Sequence, residues 1–209
     1  MKHPGTTRGG TYGRVSGAAD LILLLNPAFE ASRYSSIDGL RRPFESFDNV
    51  QQPLLLTVST TEDYATRFAF PAGQIMSGRW HERERSTVGN HPGFVTHTLS
   101  PHPVTLDTPS PEPSWWYDRF CHNGICLQRT TTEGDRPNFG NPFIVASTDG
   151  RIIKGHNDIW NNIFVDWIAA FVAKTEKGLS TGGERQGSCV NPPRNATRAI
   201  PTPDVGLAP

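Results

Sequence analysis

The sequence lacks an excess of charge of either sign, with 20 Lys and Arg against 20 Asp and Glu. A general nucleic-acid binder needs a basic footprint that neutralises phosphates and releases counterions, so nucleic acid is not an expected partner. Long hydrophobic runs are missing as well. None of the runs present, Leu21 to Leu25 among them, approaches the roughly 20 apolar residues that cross a bilayer. The opening Met1-Lys-His-Pro-Gly5 has no apolar signal-peptide core. No membrane span and a cytoplasmic, unexported chain are therefore the expectations. Cysteine is scarce, at 3 residues, and odd in number. Cys121 and Cys126 enclose four residues with no second pair to complete a zinc site, and Cys189 stands alone. Ordinary reduced thiols are the expected state, with a local Cys121–Cys126 disulfide as the alternative.

Hydrophobic residues are also thin, at 35%, whereas 20 glycines and 18 prolines are about half again the usual share. The 209 residues suit one domain plus a tail. Residues 1–18, rich in Gly, Thr and Ser, read as a flexible arm. Residues 19–177 read as the folded domain. Residues 178–209 hold five Gly and five Pro among scattered apolar positions, too few to offset ordering entropy, and read as a disordered tail.

Within the domain, Asp20-Leu-Ile-Leu-Leu-Leu25 is a continuous apolar run ended by Asn26-Pro27, the pattern of a strand buried on both faces of a parallel sheet. Leu54-Leu-Leu-Thr-Val-Ser59 repeats it and leads into the polar turn Thr60–Asp63. A helix is expected over 64–76, shortened or kinked by Pro71 and Gly73. Residues 94–99 alternate enough for an edge strand. Residues 100–141, with prolines ahead of Trp115-Trp116-Tyr117, read as a long irregular insertion held down by aromatics. Pro142–Ser147 is a further apolar strand. Beyond it, Ile159, Ile163, Trp167 and Phe171 fall on one helical face, with Trp160, Phe164 and Ile168 beside them. Asn157, Asp158, Asn161 and Asn162 are its candidate caps. This order makes an α/β fold, a parallel sheet with flanking helices.

In such sheets chemistry gathers beyond the carboxyl ends of strands. Glu62 and Asp63 follow one strand, and Gly155-His156-Asn157 follows the last. An acid after one strand and a histidine after the final one is the chain order of the back half of a Ser…Asp…His triad. Ala19 to Ala31, Leu55 to Thr66 with Phe70-Pro71, and Gly155 to Asn161 resemble α/β-hydrolase-like proteins of esterase or lipase type. The resemblance covers about residues 19–175 and implies Asp63 as triad acid and His156 as general base. It implies a small-molecule ester-type substrate if the chain is active, and no cofactor. No G-x-S-x-G nucleophile elbow precedes Asp63, where the Ser…Asp…His order requires one; Gly13-Arg-Val-Ser16-Gly17 has the wrong spacing and lies too close to Asp20. The resemblance thus implies the C-terminal half of such a domain, truncated or degenerate, lacking its serine and inactive by itself.

Blander roles stand beside these. Asp63 also suits a turn or helix cap, Glu62 is a second candidate acid, and His156 also suits a cap of the last helix. His81, His91, His97 and His102 show no metal-ligand spacing, and no metal site is expected. His81-Glu-Arg-Glu-Arg85 reads as a solvated charged turn, and Trp115–Tyr117 as a packed flap. Asn195-Ala-Thr197 matches a glycosylation sequon. The alternative function is a non-enzymatic fragment or interaction module. Its uncovered sheet edge would favour self-association.

Overall fold

The computed structural model describes residues 3–7, 10–44, 46–48, 50–102, 116, 119–130 and 140–183. Six strands form the main sheet: β3 (Ile22–Leu25), β5 (Leu55–Thr60), β6 (His97–Pro101), β7 (Arg119–His122), β8 (Ile125–Arg129) and β9 (Phe143–Thr148), in the order β3-β5-β9-β6-β8-β7. The first four in that order run parallel, and β8 and β7 add antiparallel. The chain is therefore α/β, with a mostly parallel sheet.

Alternation along β5 and β9 divides the core into two layers, as the strand period of two requires. Leu56, Val58, Ile144 and Ala146 face one side, with Phe164, Trp167 and Phe171 of the long helix α4 (Asn162–Gly183). Leu55, Phe143 and Val145 face the other, with Ala31 and Tyr34 of α1 (Ala31–Arg41) and with Val88 and Phe94. Phe120 of β7 closes the α4 layer, its ring 5.5 Å from both Trp167 and Phe171. Both faces being covered explains why β5 and β9 read as apolar runs.

Several expectations are corrected. β3 was expected to be buried on both faces, yet it is an edge strand and Ile22 is 47% exposed; apolar composition reports what the faces touch and not whether a neighbouring strand is present. Conversely, the 94–99 segment, expected at an edge, supplies β6 between β9 and β8. The expected irregular stretch 100–141 contains the β7–β8 hairpin, turned at Asn123-Gly124 with φ of 47° and 76°. That is the left-handed pair a two-residue hairpin favours, and Asn-Gly is its signature. Part of the expected arm is also ordered: β1 (His3–Thr7) and β2 (Gly10–Arg14) pair antiparallel, and β2 pairs with β4 (Ser46–Phe47) in a second small sheet. Gly13 of β2 lies so close to Phe44 that the ring leaves no room for a Cβ there.

The helix expected over 64–76 divides into a π-helical turn, Ala65–Ala69, and α2 (Phe70–Met76). The Phe70 N–H reaches back to the Ala65 carbonyl, and Pro71, with no N–H to offer, follows at the start of α2. The charged turn at 82–85 is the single-turn helix α3 (Glu82–Arg85). In the last helix the break at Asn161, with ψ of 141°, separates Ile159 and Trp160 from α4 and shifts the buried stripe to Phe164, Trp167, Phe171 and Thr175. Ile163 is left 57% exposed. α4 also continues through Gly178, where it was expected to stop, to Gly183. Gly178 faces the Gln52 amide at a distance that leaves no room for a Cβ, so its role is close packing and not termination. Residues 184–209, the rest of the expected tail, and with them Cys189 and the sequon, lie outside the described residues, as do Trp115 and Tyr117. Trp116 is packed in the α4 layer.

Candidate functional site

Two loops meet beyond the carboxyl ends of β5 and β9, which are neighbours in register from Leu55↔Phe143 to Thr60↔Thr148. Adjacent parallel strands therefore deliver the turn after Thr60 and the turn after Thr148 to the same end of the sheet. Thr60 ties them together: its hydroxyl donates to the Ile153 carbonyl at 2.7 Å. Its own backbone N–H donates to Asn26 Oδ1 at 3.0 Å, which anchors the end of β3 as well. Asn26 sits at φ 44°, a left-handed conformation that asparagine tolerates better than most residues. On the other side Asn161 donates to the carbonyls of Ile152 and Asp158, at 2.9 and 2.7 Å. It also accepts the Phe164 N–H at 2.9 Å, making it the residue that caps α4.

Between these pins lies the pair named from the sequence. His156 Nδ1 is 2.8 Å from Asp63 Oδ2. The carboxylate is 1% exposed and the imidazole 54%, so the acid is buried beneath a ring whose other edge meets solvent. Asp63 divides its two oxygens: Oδ1 accepts the Ala65 N–H at 2.9 Å and caps the π-helical turn, while Oδ2 holds the histidine. The capping role and the histidine-holding role thus coexist in one side chain. A carboxylate opposite Nδ1 places the ring proton there and leaves the Nε2 lone pair facing outward, the tautomer a general base needs. Glu62, the other candidate acid, is exposed and lays its stem against Gly150.

Among the described residues, Asp63 is the one hydrogen-bond partner of the imidazole. Ser59, the serine nearest Asp63 in the chain, is 2% exposed. It lies under the 3-10 turn Val88–Asn90, where its hydroxyl leaves no room for a Cβ on Gly89. It is enclosed and not poised to attack. The remaining histidines are dispersed. His91 stacks on Phe94 at 4.9 Å, buried His97 meets the Thr96 hydroxyl at 2.8 Å, and His102 meets Arg119 at 2.9 Å. Among the described residues, no group of three His, Cys, Asp or Glu is arranged to hold a metal ion, and no helix is long and apolar enough to cross a membrane.

Sequence reasoning did not find Asn26, Thr60, Gly89 or Asn161 as residues that position the site. Asn161 was one of four capping candidates; the others carry no pattern that separates them from ordinary turn residues. Exposed apolar side chains follow each member of the pair in sequence: Tyr64 and Phe68, with ring centroids 5.5 Å apart, after Asp63, and Trp160 and Ile163 after His156. No family model matches the chain, and neither the curated proteins nor the solved structures contain a match to it.

Proposed function

We propose that Asp63 and His156 are the acid and the base of a hydrolase-type site of α/β-hydrolase-like, ester-cleaving ancestry, and that this chain by itself lacks the attacking serine. The observation that carries the reading is the 2.8 Å contact between a buried carboxylate and an exposed imidazole at the ends of adjacent parallel strands. In such a site His156 would take a proton from a hydroxyl at Nε2, with Asp63 holding the tautomer and stabilising the imidazolium. The substrate class is a small carboxylic ester, and the chain alone is inactive toward it. Two measurements test the reading. Nitrogen-15 NMR of the His156 ring should show Nδ1 protonated and Nε2 bare in the neutral form, a preference lost in Asp63→Ala; an unchanged tautomer would refute the base assignment. A fluorophosphonate probe should fail to label the chain, and short-chain p-nitrophenyl ester turnover should not depend on His156. Turnover abolished by His156→Ala would refute the absence of activity.

A second reading, a non-enzymatic interaction module, is favoured by one feature: β3 is an apolar edge strand with Ile22 uncovered, a template for pairing with another chain. Concentration-dependent sedimentation would support self-association, and a monomer at all concentrations with a cooperative melt would refute it.

A further inference from the structure

The reduced-thiol expectation for Cys121 and Cys126 is overturned by the structure, in which the two sulfurs are bonded. The bond crosses the β7–β8 hairpin between directly opposite residues. It does little to restrain the chain, because the loop it closes has four residues and is already closed by the Asn123-Gly124 turn and the ladder. The hairpin tip is fixed separately: His122 and Asn123 both contact Asp166 Oδ2 of α4, at 3.1 and 3.0 Å, and the His102 N–H donates to the Gly124 carbonyl at 2.7 Å. Opening the bond therefore leaves the two thiols opposite one another.

The two sulfurs differ in setting. Cys126 is 1% exposed, whereas Cys121 lies half-buried on the outermost strand. Two residues before it on the same strand face, Arg119 donates from Nε to Cys121 Sγ at 3.2 Å. The guanidinium is itself held by His102 Nε2 at 2.9 Å, which has to be unprotonated to accept. A cation at one sulfur favours the thiolate there, and burial disfavours it at the other. In a reducing compartment, disulfides are transient and serve catalysis or redox sensing.

We propose that Cys121 and Cys126 form a thiol–disulfide exchange centre for low-molecular-weight thiols and disulfides, with Cys121 as the attacking and Cys126 as the resolving sulfur. In the oxidised chain an external thiolate bonds to Cys121 Sγ, the Sγ–Sγ bond breaks, and Cys126 leaves with the electron pair and takes up the proton the external thiol gave up. A second external thiol, attacking as its thiolate, then bonds to the first; the bond to Cys121 breaks, and Cys121 leaves with the electron pair and takes up the proton the second thiol gave up. The net change is two thiols oxidised to one disulfide and one protein disulfide reduced to two thiols. The reverse sequence begins with the Cys121 thiolate attacking an external disulfide.

The test uses the full chain with Cys189→Ser, reduced and then exposed to oxidised glutathione, with adducts located by peptide mass. Cys126→Ser should accumulate a mixed disulfide at Cys121, and Cys121→Ser should accumulate far less at Cys126. Arg119→Gln should slow trapping, by about threefold for each tenfold loss of thiolate, because the greater nucleophilicity of a more basic thiolate offsets part of that loss. Arg119→Lys should restore part of the rate. If a cysteine variant fails to fold, brief iodoacetamide labelling of the reduced wild-type pair gives the same comparison, with Cys121 expected to react first. Equal reactivity of the two cysteines, or a trapping rate indifferent to Arg119→Gln, overturns the proposal.

Discussion

The contact between Asp63 and His156 should contribute little to stability even though it defines the site, and a double-mutant cycle makes that quantitative. Truncating Asp63 to Ala removes two interactions of unequal worth. The Oδ1 bond to the Ala65 N–H is made by a buried acceptor that caps a helical turn, and losing such a cap costs about 1–2 kcal/mol. The Oδ2 contact reaches a ring that is 54% exposed, where solvent screening limits an ion pair to less than about 1 kcal/mol. Asp63→Ala should therefore cost about 2 kcal/mol and His156→Ala under about 1 kcal/mol, with a coupling under about 1 kcal/mol between them. With a urea m-value of about 2 kcal/mol/M, the midpoint should fall by about 1 M for Asp63→Ala and by less than 0.5 M for His156→Ala. Urea unfolding followed by circular dichroism reads both. A His156→Ala loss equal to that of Asp63→Ala, with a coupling near 2 kcal/mol, would show that the contact pins the fold, and would remove the reason for assigning it to chemistry.

Two further outcomes follow from the same structure. Gly89→Ala should destabilise the fold by about 1–3 kcal/mol through overpacking, because the new methyl would meet the Ser59 side chain on β5; an unchanged urea midpoint would refute the close packing of the Val88–Asn90 turn. The Glu30 carboxyl is held below the ordinary glutamate range by its own backbone N–H first, then by Arg33 and Arg79, against the opposing effect of burial. A depressed folded pKa contributes stability that is present above the unfolded value, near 4.5, and is lost as pH falls through the folded one. Acid unfolding of Arg79→Ala should thus begin at higher pH than in the wild type, and Glu30→Gln should lose this segment of the pH dependence. Superimposable acid curves for all three would refute it.

The parts of the fold legible in the sequence are those built by side-chain burial. β5 and β9 are covered on both faces, so each is written as an apolar run closed by polar turn residues, and those turns hold Asp63 and His156. The hairpin β1–β2 has no such signature because it is defined by backbone pairing between Gly- and Thr-rich segments, which leaves hydrophobic periodicity blank. The β7–β8 hairpin did carry a signal, Asn123-Gly124 between alternating Phe120 and Ile125-x-Leu127, but the prolines before it dominated the local composition. In the last helix the periodicity was right and its phase wrong: the chain turns at Asn161, so residues 156–160 belong to a different helical segment from 162 onward.

That misphasing bears on the site itself. Had one continuous helix begun near His156, the histidine would share a face, one turn apart, with Trp160 and Phe164, and Phe164 is driven into the core beneath the sheet. The break at Asn161 separates the two requirements. Beyond it α4 takes the phase that buries Phe164, Trp167 and Phe171; before it the 3-10 segment His156–Trp160 is free to keep the imidazole half in solvent while Nδ1 reaches a carboxylate buried at the end of the neighbouring strand. Asn161 sustains the break by satisfying both sides, donating to the Ile152 and Asp158 carbonyls and accepting the Phe164 N–H. The polarity of the Asn157–Asn162 stretch, legible as capping potential and ambiguous as to position, thus has a physical reason: it allows a helix dictated by the core to follow directly after a histidine dictated by the site.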